Sequence, residues 1–294
     1  MISVIIAVYN EENLIIQNLQ SIYKQISVLP DFEIVVVASG CTDNTVDMIK
    51  FLKREMKSII LVEERNRNGK ASAINIAHNR VRGDICILMD GDVFLGRNSI
   101  IELIKPFKDK SINLSCSRVI PRKYKNVFNQ IASIRCEVWH DYRLSQSEKA
   151  LPLIPSGYLY AIRSRNLPDI PNNIINDDQY IGLVQSDGAY KSVYSQNSII
   201  YPIYPKTFDD YIKQRLRTQL GRIQLERVFG SQIQKDFLSF STKKTFITNV
   251  EKKPYAILNL LLELYVRNEC KSIYENKRIN RCYIWEPIQS TKCL

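Results

Sequence analysis

The sequence predicts an α/β protein whose central, mostly parallel sheet is flanked by helices. Two observations support this prediction. Short apolar runs are typical of buried strands, and they occur at 2–8, 33–37, 59–62 and 85–89. A stretch with apolar residues at helical spacing follows each of the first three runs. Strands that alternate with helices form right-handed βαβ units, so we expect these strands to be parallel.

Composition limits the class of partner. The 294 residues are 45% hydrophobic, enough for one large domain or two smaller ones. Lysine and arginine number 41 against 30 acidic residues, which leaves a net charge of +11. This excess favours an anionic partner such as a nucleotide, a nucleic acid or an acidic membrane surface.

Cysteine use and hydropathy indicate a cytoplasmic protein. The seven cysteines are scattered without a Cys-x-x-Cys pair, which predicts neither a disulfide framework nor a structural zinc site. The chain starts directly with a strand-like segment, so no signal peptide is expected. No apolar stretch reaches the 18 to 20 residues of a spanning helix.

The first three strands each end in polar residues. The first is followed by Tyr9-Asn10-Glu11-Glu12, where we expect Asn10 to cap a helix. The second leads into the turn 39–45, which opens the next helix with ordinary turn and cap residues. After the third, Gly69 and Lys70 precede a small-residue helix at 71–77. This arrangement suits a phosphate cradle, although a solvated basic loop is as common.

The fourth strand runs directly into Asp90-Gly91-Asp92. Open α/β sheets bind ligands at the carboxyl ends of their strands, and carboxylates are rarely buried unpaired. Two carboxylates at such an end suit Mg²⁺ or Mn²⁺, which also bind water and substrate phosphates. A polar turn is the alternative that this motif alone leaves open.

Together, segments 8–12, 39–45, 68–75 and 90–92 resemble, in order and spacing, the signature of family two glycosyltransferases with the GT-A fold. The nearest resemblance is to inverting, polysaccharide-synthase-like members. It implies a Rossmann-like sheet and a nucleotide-sugar-binding half with donor and metal residues Tyr9, Glu11, Ser39, Asp43, Lys70, Asp90 and Asp92. Many relatives carry an Asp-Asp pair where this chain has Ala38-Ser39, so the nucleotide is less well specified than the fold.

The second half extends the resemblance. Segment 157–163 resembles a family strand, and 176–180 occupies the place of the Glu-Asp motif whose Asp is the catalytic base in inverting members. Apolar spacing favours Asp178 as this base. The short distance to Gly188 keeps Asp177 as the alternative. Without the upstream motifs, both acids would be helix-dipole partners.

A last motif lies at 214–218 and resembles Gln-x-x-Arg-Trp of membrane-associated polysaccharide synthases. Gln214 and Arg217 share a helix face, and the resemblance implies that they and Arg215 hold the donor diphosphate. A basic helix lying in solvent is the alternative. Thr218 replaces the tryptophan, which argues against an aromatic acceptor platform and processive synthesis.

The predicted domains are a GT-A domain at 1–230 and a C-terminal helical extension at 231–294. Within the first, 1–112 would bind the nucleotide-sugar and 113–230 the acceptor. The extension contains an apolar helix at 255–266 flanked by basic residues. It is compatible with packing on the core and with lying in an anionic membrane interface.

The resulting functional prediction is an inverting, metal-dependent glycosyltransferase. It would move a sugar, with a UDP-sugar as the expected donor, to a hydroxyl of a glycan or lipid-linked glycan. The expected location is the cytoplasm, at the inner face of the membrane, without a nucleic-acid partner. The alternatives are a nucleotidyltransferase, a basic nucleic-acid-binding protein and a non-catalytic nucleotide-binding relative.

Overall fold

The computed structural model describes residues 1–122, 126–186, 190–230, 253–275 and 288–292. Within these ranges, eight strands form one sheet in the order β3-β2-β1-β4-β7-β6-β8-β5. The strands are β1 (Ile2–Val8), β2 (Phe32–Ser39), β3 (Ile59–Glu64), β4 (Ile85–Asp90), β5 (Val93–Leu95), β6 (Ile112–Val119), β7 (Leu159–Arg163) and β8 (Lys191–Pro202).

The first half of the sheet is parallel, as the sequence predicts. β1 lies between β2 and β4 and pairs with both in the parallel sense, and β2 pairs likewise with β3. Successive side chains of β1 enter opposite faces: Val4 and Ile6 join one apolar core, and Ile5 joins the other. Both faces are therefore covered, which explains why these strands read as continuous apolar runs.

The second half of the sheet is mixed. β7 is antiparallel to both β4 and β6, whereas β6 and β8 are parallel. The sequence pattern of 188–194 and of 198–201 predicts two short strands there. Lys191–Pro202 is instead one strand, whose pairing with β6 shifts register between Ser117 and Arg118. Gly188 lies outside the described residues.

Helices cover both faces of the sheet and form one wall of the cleft described below. They are α1 (Ile15–Ile26), α2 (Thr45–Glu55), α3 (Lys70–His78), α4 (Ser99–Ile104), α5 (Val127–Glu148), α6 (Asp177–Ser186), α7 (Phe208–Phe229), α8 (Lys253–Glu275) and α9 (Gln289–Lys292). α1 buries Ile15, Leu19, Ile22 and Ile26, the three-to-four spacing of a helix with one core-facing side. None of the described helices is both long and apolar enough to cross a membrane.

The predicted cap at Asn10 is wrong. α1 begins only at Ile15, and Asn10 has a positive φ of 52°. Its side chain donates to Thr42 Oγ1 (3.0 Å) and accepts from the Thr42 backbone N–H (2.8 Å). Asn tolerates this left-handed backbone better than most residues. It therefore joins the loops after β1 and β2 instead of starting a helix.

Candidate active site

A cleft of about 670 Å³ opens at the carboxyl ends of β1, β2 and β4 and extends to α5, α6 and α7. The parallel register aligns Val8 with Ala38 and Ala7 with Asp90, so the loops after these strands meet at one edge. The cleft brings together all the predicted site residues except Asp43: Tyr9, Glu11, Ser39, Lys70, Asp90, Asp92, Asp177, Asp178, Gln214, Arg215 and Arg217.

Asp43 shapes the turn beside the cleft. Its carboxylate accepts from the backbone N–H groups of Thr45 (3.0 Å) and Glu12 (3.1 Å). The first contact closes an Asx turn at the start of α2, and the second holds the loop that follows β1. Asp43 thus positions the loop that carries Tyr9 and Glu11, and it does not line the cavity.

The carboxylates of Asp90 and Asp92 converge at the end of β4. Gly91, between the two acids, packs closely against β1: a Cβ at this position would lie 3.0 Å from Val8 Cγ1. Burial, and then the charge of Asp90, raise the pKa of Asp92 to about 6. Among the described residues no third acidic, histidine or cysteine group completes a protein-only metal cage. Two clustered carboxylates nevertheless fit a Mg²⁺ or Mn²⁺ ion that shares its other positions with water and phosphate.

Lys70 lies between the carboxylates at the end of β4 and the two acids of α6. It is the first residue of α3 and follows Gly69, which has a positive φ of 93°. Its ammonium group lies 2.6 Å from Asp90 Oδ1 and 3.3 Å from Asp177 Oδ2. Burial alone would lower the pKa of Lys70, but Asp177 and Asp90 raise it above its ordinary value. The lysine therefore remains charged at the centre of the cleft.

The two adjacent acids of α6 differ in their surroundings. Asp177 is only 4% exposed and faces Lys70, whereas Asp178 is partly accessible at the cleft. Asp178 Oδ1 accepts from the Gln179 backbone N–H (2.8 Å), and its Oδ2 lies beside Gly157. Burial, and then the charge of Asp177, raise the pKa of Asp178 to about 6. Such a carboxylate can accept a proton near neutral pH.

The residues of the last sequence motif, at 214–218, have two different roles. Gln214 and Arg217 line the cleft, and the charge of Arg217 offsets a small part of the effect of burial and of Asp90, which together raise the pKa of Asp92. Arg215 also reaches the cleft, but its Nε and Nη2 atoms donate to Glu263 of α8 at 2.8 and 3.0 Å. The hydroxyl of Thr218 donates to Gln214 within the helix. In this structure Arg215 therefore links α7 to α8, whereas the sequence predicted that it holds the donor diphosphate.

Two basic residues beside Tyr9 and Glu11 were not predicted. The Arg67 guanidinium lies 3.9 Å from the centre of the Tyr9 ring. Lys292 of α9 forms an ion pair with Glu11 and donates to the Tyr9 carbonyl at 3.3 Å. Burial lowers the pKa of Lys292 to about 8. Arg67 lay in a recognisable basic loop, but no local pattern connects Lys292 to a motif some 280 positions earlier.

Two solved structures illustrate the architecture that this chain shares with other proteins. A mannosyltransferase of Pyrobaculum calidifontis, in complex with GDP-Man and Mn²⁺, superposes with a TM-score of 0.68 at 21% identity. The superposition covers 96% of this chain and 84% of the other. Glucosyl-3-phosphoglycerate synthase of Mycobacterium tuberculosis, with Mn²⁺, UDP and glucosyl-3-phosphoglycerate, gives 0.52 at 20% identity, covering 78% and 80%. The fold is therefore the GT-A fold of glycosyltransferases.

Sequence comparison supplies the family. The model of Glycosyl transferase family 2 matches residues 3–164, more than half of the chain, and the chain belongs to this family. Poly-β-1,6-N-acetyl-D-glucosamine synthase of Staphylococcus epidermidis is 25% identical over 245 residues, which cover 81% of this chain and 58% of the relative. The chain spans less than two thirds of the length of the first curated relatives that it matches.

Proposed function

We propose that the protein transfers a sugar from a nucleotide-sugar to an acceptor hydroxyl and inverts the anomeric centre. The observation that carries the proposal is Asp178, a partly buried carboxylate at the cleft whose pKa is raised to about 6. It shares one cleft with the Asp90 and Asp92 pair, and Lys70 lies between the two groups of acids. Membership of the glycosyltransferase family supports the same reaction.

The donor half of the proposed site is residues 1–112. Tyr9, Glu11 and Ser39 would face the nucleoside, and a UDP-sugar is the proposed donor. Asp92, with Asp90, would hold Mn²⁺ or Mg²⁺. When bound, the ion would offset the charge that develops on the diphosphate leaving group. Support comes from the structural relatives, which were solved with Mn²⁺ and with GDP-Man or UDP.

The proposed reaction is a single displacement. The acceptor oxygen attacks the anomeric carbon from the face opposite the diphosphate, and Asp178 takes the hydroxyl proton. As the new bond forms, the bond from the anomeric carbon to the diphosphate oxygen breaks, and the nucleoside diphosphate leaves with that electron pair. Lys70, Gln214 and Arg217 supply donors on the leaving-group side. One displacement with one base inverts the centre.

We also propose that residues 113–230 bind a glycan or lipid-linked glycan and that the protein works at the cytoplasmic face of a membrane. The second proposal rests on α8. It exposes Ile257, Leu261 and Leu264 by 53, 58 and 50%. Lys253 and Arg267 flank these apolar side chains, the pattern of helices that lie in an anionic interface.

Thermal unfolding against a panel of nucleotide-sugars, with and without Mn²⁺, tests the function. A donor at 100 times its dissociation constant should stabilise the protein by about 2.7 kcal/mol. We expect stabilisation by one donor that requires Mn²⁺ and is lost in Asp92→Asn. Asp31→Asn, an exposed acid outside the cleft, is the control that retains it.

Transfer itself is measured as release of nucleoside diphosphate and analysis of the product anomer. Donor binding without turnover on any glycan acceptor would instead favour the non-catalytic relative. A product that retains the donor configuration would contradict the single displacement.

A further inference from the structure

Residues 288–292, which we call the C-terminal segment, contribute to the wall of the cleft. Ile288, Thr291 and Lys292 of this segment line it. The segment contains α9, and Thr291 is only 4% exposed. The family match covers residues 3–164, so it does not account for this part of the wall.

Hydrogen bonds hold the C-terminal segment on two sides. On one side, the Ser290 backbone N–H donates to Asp210 Oδ2 (2.9 Å), and the Ser290 hydroxyl oxygen accepts from the Lys206 backbone N–H (3.1 Å). On the other side, Asn13 Nδ2 donates to the Lys292 carbonyl (3.2 Å). A helix of one turn is not stable by itself, so these contacts with the start of α7 and the loop after β1 determine where the segment lies.

Lys292 places a positive charge beside a buried carboxylate of the cleft. Its ammonium group forms an ion pair with Glu11 Oε1 and donates to the Tyr9 carbonyl at 3.3 Å. The side chains of Lys292 and Glu11 are 19 and 7% exposed. Among the described residues, Lys292 is the cation that pairs with Glu11. Because a buried carboxylate without a cation is strongly disfavoured, the ion pair keeps Glu11 charged and fixes its side chain.

Two buried polar atoms in this part of the cleft have no hydrogen-bond partner among the described residues. They are Glu11 Oε2 and Ser39 Oγ, and the two residues are 6 and 5% exposed. Both residues line the cleft, and the Glu11 backbone N–H donates to Thr45 Oγ1 (2.7 Å), which joins their loops. Buried polar atoms nearly always have a partner, so these two atoms indicate a ligand that supplies one.

The chemistry of the two atoms fits a nucleoside. Oε2 of an ionised Glu11 can only accept a hydrogen bond, whereas the Ser39 hydroxyl can donate or accept. Ribose hydroxyls and the N–H groups of a base donate hydrogen bonds, and base carbonyl groups accept them. Lys292 binds the other carboxylate oxygen of Glu11, so it determines which oxygen is available to the ligand.

We propose that Lys292 is a positioning residue of the donor site, which holds Glu11 ionised with Oε2 available to the nucleoside of the donor. This inference rests on the proposed function and adds the C-terminal segment to the nucleoside end of that site. The proposed partners of the diphosphate, Lys70 and Arg217, are separate. Lys292 therefore affects donor affinity and not the chemical step.

Titration calorimetry at pH 7 with Mn²⁺ tests the proposal. The probes are UDP and GDP, the nucleoside diphosphates represented in the structural relatives. We expect one of them to bind the wild type, and Lys292→Met to weaken its binding by at least about tenfold, the loss of a charge-assisted hydrogen bond. Lys292→Arg, which can still pair with Glu11, should restore most of the affinity. With the corresponding nucleotide-sugar, Lys292→Met should raise KM and change kcat by less than about twofold.

A double-mutant cycle tests whether Lys292 acts through Glu11. In the Glu11→Gln background, Lys292→Met should cause no further loss of affinity, because the carboxylate that it positions is already absent. The control is Lys57→Met, an exposed lysine outside the cleft, which should bind the nucleotide as the wild type does. Far-ultraviolet circular dichroism confirms folding of each variant.

Three results would overturn the proposal while leaving the proposed function intact. Equal binding by the wild type and Lys292→Met would show that Lys292 has no role in the donor site. Tighter binding by Lys292→Met would show that the C-terminal segment obstructs the site. Additive losses in the double variant would show that Lys292 does not act through Glu11. A wild-type protein that binds neither UDP nor GDP with Mn²⁺ would contradict the proposed function and this inference together.

Discussion

At the scale of single residues, the two acids of α6 have different environments although they are neighbours in sequence. Asp177 is buried against Lys70. Asp178 lies at the cleft with a raised pKa, because burial and the adjacent Asp177 both disfavour its charge. Such a division is typical of sites in which one carboxylate is structural and the other moves a proton.

We therefore expect Asp178→Asn to reduce kcat by about 10²- to 10⁴-fold, since an amide cannot accept the proton. Donor affinity, measured by calorimetry with Mn²⁺, should stay near that of the wild type. Asp177→Asn is the comparison: it removes one of the two acidic partners of Lys70 and should destabilise the fold as well as the reaction. Normal turnover by Asp178→Asn would show that another residue acts as the base.

The activity should also depend on pH in a defined direction. Below about pH 6, Asp178 is protonated and cannot act as a base, so kcat/KM should rise through pH 6 and then level off. Asp92 has a similar pKa of about 6, but its protonation would weaken metal binding. Profiles at saturating Mn²⁺ separate the two groups. A flat profile between pH 5 and 8 would argue against Asp178.

Most of the candidate site could be predicted from local sequence, for a physical reason. Asp90, Asp92 and Lys70 follow directly on strands or start helices, so a short motif determines where each lies. Lys292 could not be predicted as a site residue in this way. Its position depends on how a distant helix packs, and it lies in a segment without a distinctive pattern.

At the scale of elements, α8 is attached to the domain by a buried ionic link as well as by apolar packing. Val266 and Cys270 pack against Leu220 of α7, while Glu263 contacts arginines of α5 and α7. An apolar helix was predicted here, but not its ionic attachment. Glu263 stands alone in an apolar run, and sequence does not indicate which helix faces it.

Glu263→Gln should lower the free energy of unfolding by about 3–5 kcal/mol, because it leaves buried arginines without their counter-charge. Urea unfolding at pH 7 measures this. The folded-state pKa of Glu263 is lowered, so its contribution is present above the unfolded pKa and is lost as pH falls. The difference from wild type should therefore shrink in acid.

Glu269→Gln, an exposed acid on the same helix, provides the control and should change stability by less than about 0.5 kcal/mol. Equal stability of the two variants would show that Glu263 does not attach α8.

At the scale of the whole molecule, the two halves of the sheet differed in how well they could be predicted. Regular alternation of strands and helices predicts that β1 to β4 are parallel, although not that β4 pairs with β1 instead of β3. The antiparallel placement of β7 between β4 and β6 could not be predicted. β7 is separated from β4 by almost 70 residues, and its apolar pattern fits several positions in the sheet.

The net charge of +11 and the exposed apolar side chains of α8 together predict binding to acidic membranes. The protein should sediment with vesicles rich in phosphatidylglycerol and much less with neutral vesicles, and added salt should weaken the association. Leu261→Glu should reduce it severalfold. Val28→Glu, which changes an exposed apolar residue elsewhere, should not. Equal sedimentation of both variants would exclude α8 as the contact.

The position of Trp139 has a practical consequence. The chain contains two tryptophans, Trp139 and Trp285, so a Trp285→Phe variant would emit from the cleft alone. The guanidinium carbons of Arg143 and Arg222 lie 4.8 and 5.8 Å from the centre of the indole ring, and its fluorescence should respond when their electric field is altered. Ligand binding in the cleft could then be followed by fluorescence in real time, without a labelled sugar and without waiting for turnover.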